Sequence, residues 1–114
     1  MAWGEVEAEH EVEEWLNSLP DDEFGAVEYH IDLLAERGVL LAEPYTRQLF
    51  GKLRELRFYV GREQIRVTYF IASGRRIVLL TVFRKTRQRE RAEIARAYAA
   101  MERCLAAGHT AEDD

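Results

Sequence analysis

The sequence predicts an α+β fold with two N-terminal helices, an antiparallel β-meander of three to four strands and a C-terminal helix. Two observations carry this reading. Apolar residues recur at helical spacing before Gly38 and again after Arg87, and between those stretches the pattern changes to a period of two. The length of 114 residues adds a third, since it suits one domain with a real core.

Trp3, Val6, Val12, Trp15, Leu16 and Leu19 stand among many glutamates, which fits either a short strand followed by a helix or one frayed helix. Pro20 stops that stretch. Asp21, Asp22 and Glu23 then read as a helix start, because acids in the first turn complement the helix dipole. Phe24, Val27, Ile31, Leu34 and Ala35 follow on one helical face, and Gly38 is the expected C-cap.

Val39 to Pro44 reads as a connector. Leu56, Phe58 and Val60 alternate with Glu55, Arg57 and Tyr59, the signature of a strand. Gly61-Arg62-Glu63 is a short turn, and Gln64 to Ala72 is a second strand rich in β-branched and aromatic residues. After a Ser73-Gly74 turn comes Arg76 to Phe83. Its apolar run Ile77-Val78-Leu79-Leu80 predicts a central strand covered on both faces. Ile94, Ala95, Tyr98, Met101 and Leu105 mark the last helix, which Gly108 is expected to end. The organisation expected is a single domain over residues 1–114. It comprises an acidic helical segment (residues 1–44), a basic sheet with the C-terminal helix (residues 45–108) and a frayed tail (residues 109–114).

Charge divides the chain sharply. Residues 1–44 hold thirteen acids and one base, Arg37, whereas residues 45–103 hold fifteen bases and five acids. A basic half of this kind is the footprint of a polyanion binder, most often nucleic acid. The single cysteine, Cys104, excludes an internal disulfide and suits a reduced compartment; beside an apolar stripe it reads as a buried structural thiol. No apolar run approaches a membrane span and no signal peptide is visible, so a cytoplasmic location is expected and no membrane partner.

Familiar catalytic motifs are absent from the sequence. There is no metal-ligand spacing, Gly-rich phosphate loop or nucleophile motif, so neither a metal nor a cofactor is expected. His10, His30 and His109 lie far in sequence from the basic strands and read as surface or partly buried residues. Chemistry must then come from Arg, Lys and Tyr. Arg57 and Tyr59 share one strand face, and Arg66, Thr68 and Phe70 share a face of the next. If those faces coincide, guanidinium groups converge beside an aromatic ring, an arrangement suited to a phosphate and a stacked base. RNA carries its own nucleophile, the 2′-hydroxyl. A protein need only align it, stabilise the developing phosphoryl charge and move a proton.

From Lys52 to Thr86 the residues resemble the RelE/HigB-like toxins of bacterial type II toxin–antitoxin systems, in particular the phage-derived HigB branch. The matching pieces are Lys52-Leu53 with Glu55-Leu56-Arg57, Ile65-Arg66-Val67 with Tyr69-Phe70, Ile77-Val78-Leu79-Leu80, and Phe83-Arg84-Lys85-Thr86. The resemblance implies an mRNA endoribonuclease that acts on the ribosome, inhibits translation and is neutralised by a cognate antitoxin of helix-turn-helix type. A higher-order toxin–antitoxin complex on operator DNA belongs to the same expectation. Arg57, Arg66, Arg84 and Lys85 would form the catalytic centre, with Tyr59, Tyr69 or Lys85 carrying the proton. Lys52, Arg54, Arg62, Arg75, Arg76, Arg87 and Arg89 would bind RNA. The sequence departs from the pattern twice: the sheet region has no histidine, and no tyrosine lies between Phe83 and Tyr98. Arg66 has a second reading, as a structural anchor paired with Glu55. The function has two alternatives, a ParE-like gyrase inhibitor and a nonenzymatic RNA- or ribosome-binding module.

Overall fold

The computed structural model describes residues 2–86 and 90–107. Of the two readings of the acidic start, strand followed by helix is the one found: β1 is Glu5–Ala8 and α1 is His10–Asn17. After Pro20 comes α2, Asp21–Arg37, with Asp21, Asp22 and Glu23 in its first turn. Gly38 ends it with φ 52° and ψ −123°, its N–H donating to the Leu34 carbonyl. The N–H groups of Trp3 and Gly4 both donate to the Ala35 carbonyl, at 2.9 and 3.1 Å, and so cover an otherwise unpaired helix end.

Gly38 is required there for two reasons. Its backbone is left-handed, and a Cβ would overlap the Trp3 ring. Gly38→Ala is therefore expected to destabilise the fold by about 2–4 kcal/mol, from backbone strain plus overpacking. Urea unfolding followed by tryptophan fluorescence would measure it, and an unchanged midpoint would show that the Trp3 contact is dispensable.

The remaining elements are β2, Thr46–Phe50; β3, Leu53–Val60; β4, Glu63–Ala72; β5, Arg76–Arg84; and α3, Glu90–Ala106. Among the described residues the sheet has five strands in the order β1-β5-β4-β3-β2. Strands β2 to β5 form the expected antiparallel meander, at the upper count of four, but β1 pairs with β5 in parallel. The sheet is thus mixed, which corrects the purely antiparallel expectation. A parallel neighbour needs a long crossover, and α1 and α2 lie within it. Val6 and Ala8 pack on the core from this edge, while Glu7 accepts two hydrogen bonds from Arg76 at 2.6 and 2.7 Å. Acids on β1 discourage pairing with a further strand.

Strand β2 was not legible as a strand because Thr-Arg-Gln-Leu-Phe has no apolar alternation. Its buried residue is Thr46, whose hydroxyl donates to the Leu41 carbonyl at 2.5 Å.

Two cores flank the sheet. Val12, Val27 and Leu34 of the acidic helices meet Leu56, Phe58, Val67, Ile77 and Leu79 on one side. Ala97, Ala100, Met101 and Cys104 of α3 meet Leu53, Phe70, Val78 and Leu80 on the other. The expected buried thiol and the doubly covered central strand are both found. Alternate residues of Ile77-Val78-Leu79-Leu80 enter opposite cores. A bulge then lets Thr68 face Thr81 while Tyr69 faces Leu79, which returns Thr81 to the α3 side. Among the described residues no helix is long and apolar enough to cross a membrane. Gly108, the tail 109–114, Arg87 and Arg89 lie outside the described residues.

Candidate active site

Register decides which strand side chains meet. Across β3 and β4, Arg57 faces Arg66, Tyr59 faces Gln64, and Glu55 faces Thr68. Cross-strand partners share a face, so the arginine faces anticipated from sequence do coincide. On β5 the row continues with Thr81 opposite Thr68, their hydroxyls 2.5 Å apart. The result is a polar strip on the side of the sheet that α3 covers.

At the centre of the strip lies a buried charge cluster. Glu55 is 1% exposed and Arg66 4%. The Nε atoms of Arg66 and Arg57 lie 3.5 and 3.6 Å from the same Glu55 oxygen. Burial pushes the Glu55 carboxyl above its ordinary range, outweighing the attraction of Arg66 and Arg57. Burial also lowers Arg66, against the pull of Glu55. Glu55 Oε1 and the two arginine Nε atoms have no hydrogen-bond partner among the described residues. Unsatisfied buried groups of this kind are uncommon and concentrate where a protein has work for them.

Arg66 spends its outer nitrogens on the Gln64 side-chain oxygen at 3.2 Å and the Ile65 carbonyl at 3.4 Å. Of its two readings, the Glu55-paired anchor is present. Arg57 differs, being 26% exposed and spanning from the buried carboxylate toward solvent.

Arg57 and Arg66 line a depression of about 430 Å³ with His30, Pro44, Tyr45, Phe58, Tyr59 and Gln64. Tyr59 is 63% exposed and offers a free aromatic face. The same end of the sheet holds Arg62 on the β3–β4 turn and Arg84 and Lys85 at the end of β5. Arg84 pairs with Glu63 at 3.1 Å and Lys85 with Glu90 at 3.5 Å. Glu55, Glu63 and Glu90 are three of the five acids in residues 45–103. The site is thus less positive than the linear count implies, and its cations are positioned by acidic partners.

Several anticipated residues are not brought here. Lys52 precedes β3, and Arg75 and Arg76 sit on the β4–β5 turn and the start of β5, at the opposite end of the strands. The separation from Lys52 to Tyr59 is roughly 23 Å at about 3.3 Å per strand residue. Arg76 is bound to Glu7, and the Arg75 guanidinium lies 5.1 Å from the Trp3 ring centroid. Arg54 is half-buried, donating to the Tyr69 hydroxyl at 3.3 Å and to Thr46 Oγ1 at 3.2 Å. Tyr69 is 1% exposed within the core on the side of α1 and α2 and does not line the depression.

Sequence reasoning set His30 apart from the strands, yet its ring stacks on Phe58, with centroids 4.8 Å apart and planes at 15°. A signal existed. His30 falls three residues after Val27 and four before Leu34, beside the buried stripe of α2, so it must turn toward the sheet. Tyr45 and Gln64 gave no such signal.

The architecture defines a class of protein. A chain of the solved archaeal RelE–RelB complex from Pyrococcus horikoshii OT3 is similar, with a TM-score of 0.54 and 23% identity over 74% of this chain and 97% of that one. That likeness speaks to fold: an α+β domain of RelE type. The profile of the family described as Phage derived protein Gp49-like (DUF891) matches residues 14–102. This chain therefore belongs to the Gp49-like phage-derived family, a family of RelE-like toxins. A search of the curated proteins finds no match.

Proposed function

We propose that this chain is the toxin of a toxin–antitoxin pair and that it cuts mRNA at the end of the sheet bearing Arg57. One observation carries the reading: Arg57 and Arg66 line a depression with the exposed Tyr59, and Arg62, Arg84 and Lys85 stand at the same end of the sheet. Guanidinium groups suit the two charged oxygens of a phosphodiester and the additional charge that develops as a 2′-oxygen attacks it. Tyr59 supplies a surface on which a neighbouring base stacks. The acidic helices α1 and α2 lie on one face of the sheet and favour approach of RNA from elsewhere. The ribosome is the proposed setting, because a shallow, open site leaves alignment of the message to another body.

Neutralisation is proposed to come from a cognate antitoxin of helix-turn-helix type. The similar archaeal structure is a complex with RelB, which supports an antitoxin of some kind. Assembly of both partners on operator DNA belongs to the same proposal.

Induction of the chain in a bacterial host, with and without Arg84→Ala/Lys85→Ala, tests the reading. Mapped mRNA 5′ ends are expected to show new cuts with the wild type and none with the double variant. Growth arrest with a DNA-damage response and intact transcripts would replace the ribonuclease with gyrase inhibition. Cuts that persist undiminished in the double variant would move the site elsewhere on the sheet.

A further inference from the structure

We infer that Glu55 is the positioning residue of this site: its carboxylate holds the Arg57 guanidinium where phosphoryl charge develops, without itself touching the RNA. The inference rests on the ribonuclease reading and adds a residue which that reading does not use. Glu55 and Arg57 alternate along β3 with Leu53, whose side chain enters the α3 core, and Arg66 is the cross-strand partner of Arg57. All three therefore stand on one face of the sheet.

Register creates the problem that Glu55 solves. Like charges directly opposite on neighbouring strands repel, and Arg57 faces Arg66 in this way. One carboxylate oxygen, Oε2 of Glu55, lies 3.6 Å from Arg57 Nε and 3.5 Å from Arg66 Nε. A carboxylate present only to neutralise the enclosed Arg66 need not approach Arg57, yet it stands as close to one as to the other. Cover decides what happens without it. Arg66 is enclosed and fastened at its outer nitrogens to Gln64 and the Ile65 carbonyl. Arg57 is partly open to solvent, and among the described residues its one ion pair is with Glu55. Released, Arg57 is the arginine that swings away, and its order has to be regained at every encounter with substrate.

Glu55 acts through Arg57 because it cannot reach the substrate. It is fully enclosed and does not line the depression, whereas Arg57 does. Two further charged groups act on it, Arg47, its cross-strand partner on β2, and Glu90 at the start of α3. Arg47 has the wrong sign to hold another guanidinium, and Glu90 is engaged by Lys85. Among the described residues no second anchor for Arg57 stands ready.

A double-mutant cycle separates positioning from mere support of the fold. Glu55→Gln keeps the shape of the side chain and removes its charge, and Arg57→Ala removes the group to be positioned. Cleavage of a short mRNA, free and bound to ribosomes, would give kcat and KM for wild type, both single variants and the pair. Each protein is assayed below its own unfolding midpoint. Glu55→Gln is expected to lower kcat about 10²-fold, the loss that an ångström-scale misplacement brings. KM should stay unchanged, as for an interaction made only in the transition state. In the Arg57→Ala background the same substitution should cost nothing further, because the group it positions is gone. Glu55→Asp, which keeps the carboxylate but draws it back by one methylene, should recover part of the activity. If Glu55→Gln does not fold, Glu55→Asp takes its place in the cycle under the same criteria, since Arg66 then keeps its counter-charge. Wild-type-like cutting by the folded variant would overturn the role of Glu55. So would an equal loss in both backgrounds, the result a purely structural carboxylate gives. The ribonuclease reading survives either outcome, whereas failure of the wild type to cut either RNA would overturn both.

Discussion

Arg57→Ala should lower RNA cleavage by about 10²–10³-fold, the loss typical of removing one preorganised group that stabilises transition-state charge. The expectation follows from its place between two environments. Its Nε faces the buried Glu55, which fixes the guanidinium, while the side chain is open enough to line the depression. Arg66 remains beside Glu55 in the variant, so the carboxylate keeps a partner and the fold should survive. Arg57→Lys should recover only a fraction of the activity, because an ammonium retains the charge and loses the bidentate geometry. Single-turnover cleavage of mRNA on ribosomes, with unfolding measured in parallel, would check this. Near-wild-type cutting by a folded Arg57→Ala would remove Arg57 from the site.

Arg66→Met should instead damage the fold. Breaking a buried ion pair from one side typically costs about 3–5 kcal/mol, because the remaining charge stays buried. In this chain the remaining charge is Glu55, 1% exposed and held above its ordinary pKa by burial, and it is left with only the more solvent-exposed Arg57 beside it in place of the enclosed Arg66. Without Arg66 the carboxyl should rise further, and the sign of the pH effect follows. An acid raised in the folded state binds a proton that the unfolded chain releases. Stability therefore falls as pH rises from the ordinary value of 4.5 through the folded value, and it is regained as pH falls back toward 4.5. The deficit of Arg66→Met relative to wild type should consequently shrink between pH 7 and pH 5. Urea denaturation at the two pH values would measure it, and a deficit that grows on acidification would mean that Glu55 is not the stranded charge.

These two arginines face one another across β3 and β4, and nothing in the linear sequence separates their roles. Both stand in strands, beside apolar neighbours, within a basic stretch. What separates them is cover. Both line the depression, but Arg66 lies on β4 with a paired strand on either side and is enclosed, whereas Arg57 lies on β3 just past its last pairing with β2 and is partly open to solvent. The same distinction removes Tyr69 from the surface and leaves Tyr59 on it. Alternation places residues on a face but does not say whether a helix roofs that face at that point.

The elements themselves were largely legible. The α2 stripe, the Gly38 cap, the meander from β3 to β5 and the doubly covered β5 follow from periodicity, turn chemistry and a long apolar run. β1 and β2 were harder because they are short edge strands, one acidic and one buried mainly through Thr46. Their pairing is set by partners far away in sequence. His30 was legible in principle from its spacing to Val27 and Leu34. Its isolation from the basic strands in sequence argued the other way, although the fold brings α2 across them.

The sequence by itself determined the α+β class, the meander, the family likeness from Lys52 to Thr86 and the division of charge. These are local properties: spacing, propensity and composition act over a few residues. Only the tertiary structure decided which cations meet, because cross-strand register and helix cover depend on residues distant in sequence. It placed Lys52, Arg75 and Arg76 at one end of the strands and Arg57, Arg62, Arg84 and Lys85 at the other. It also set Glu55 beneath two arginines and brought a histidine from the acidic half into the depression that they line.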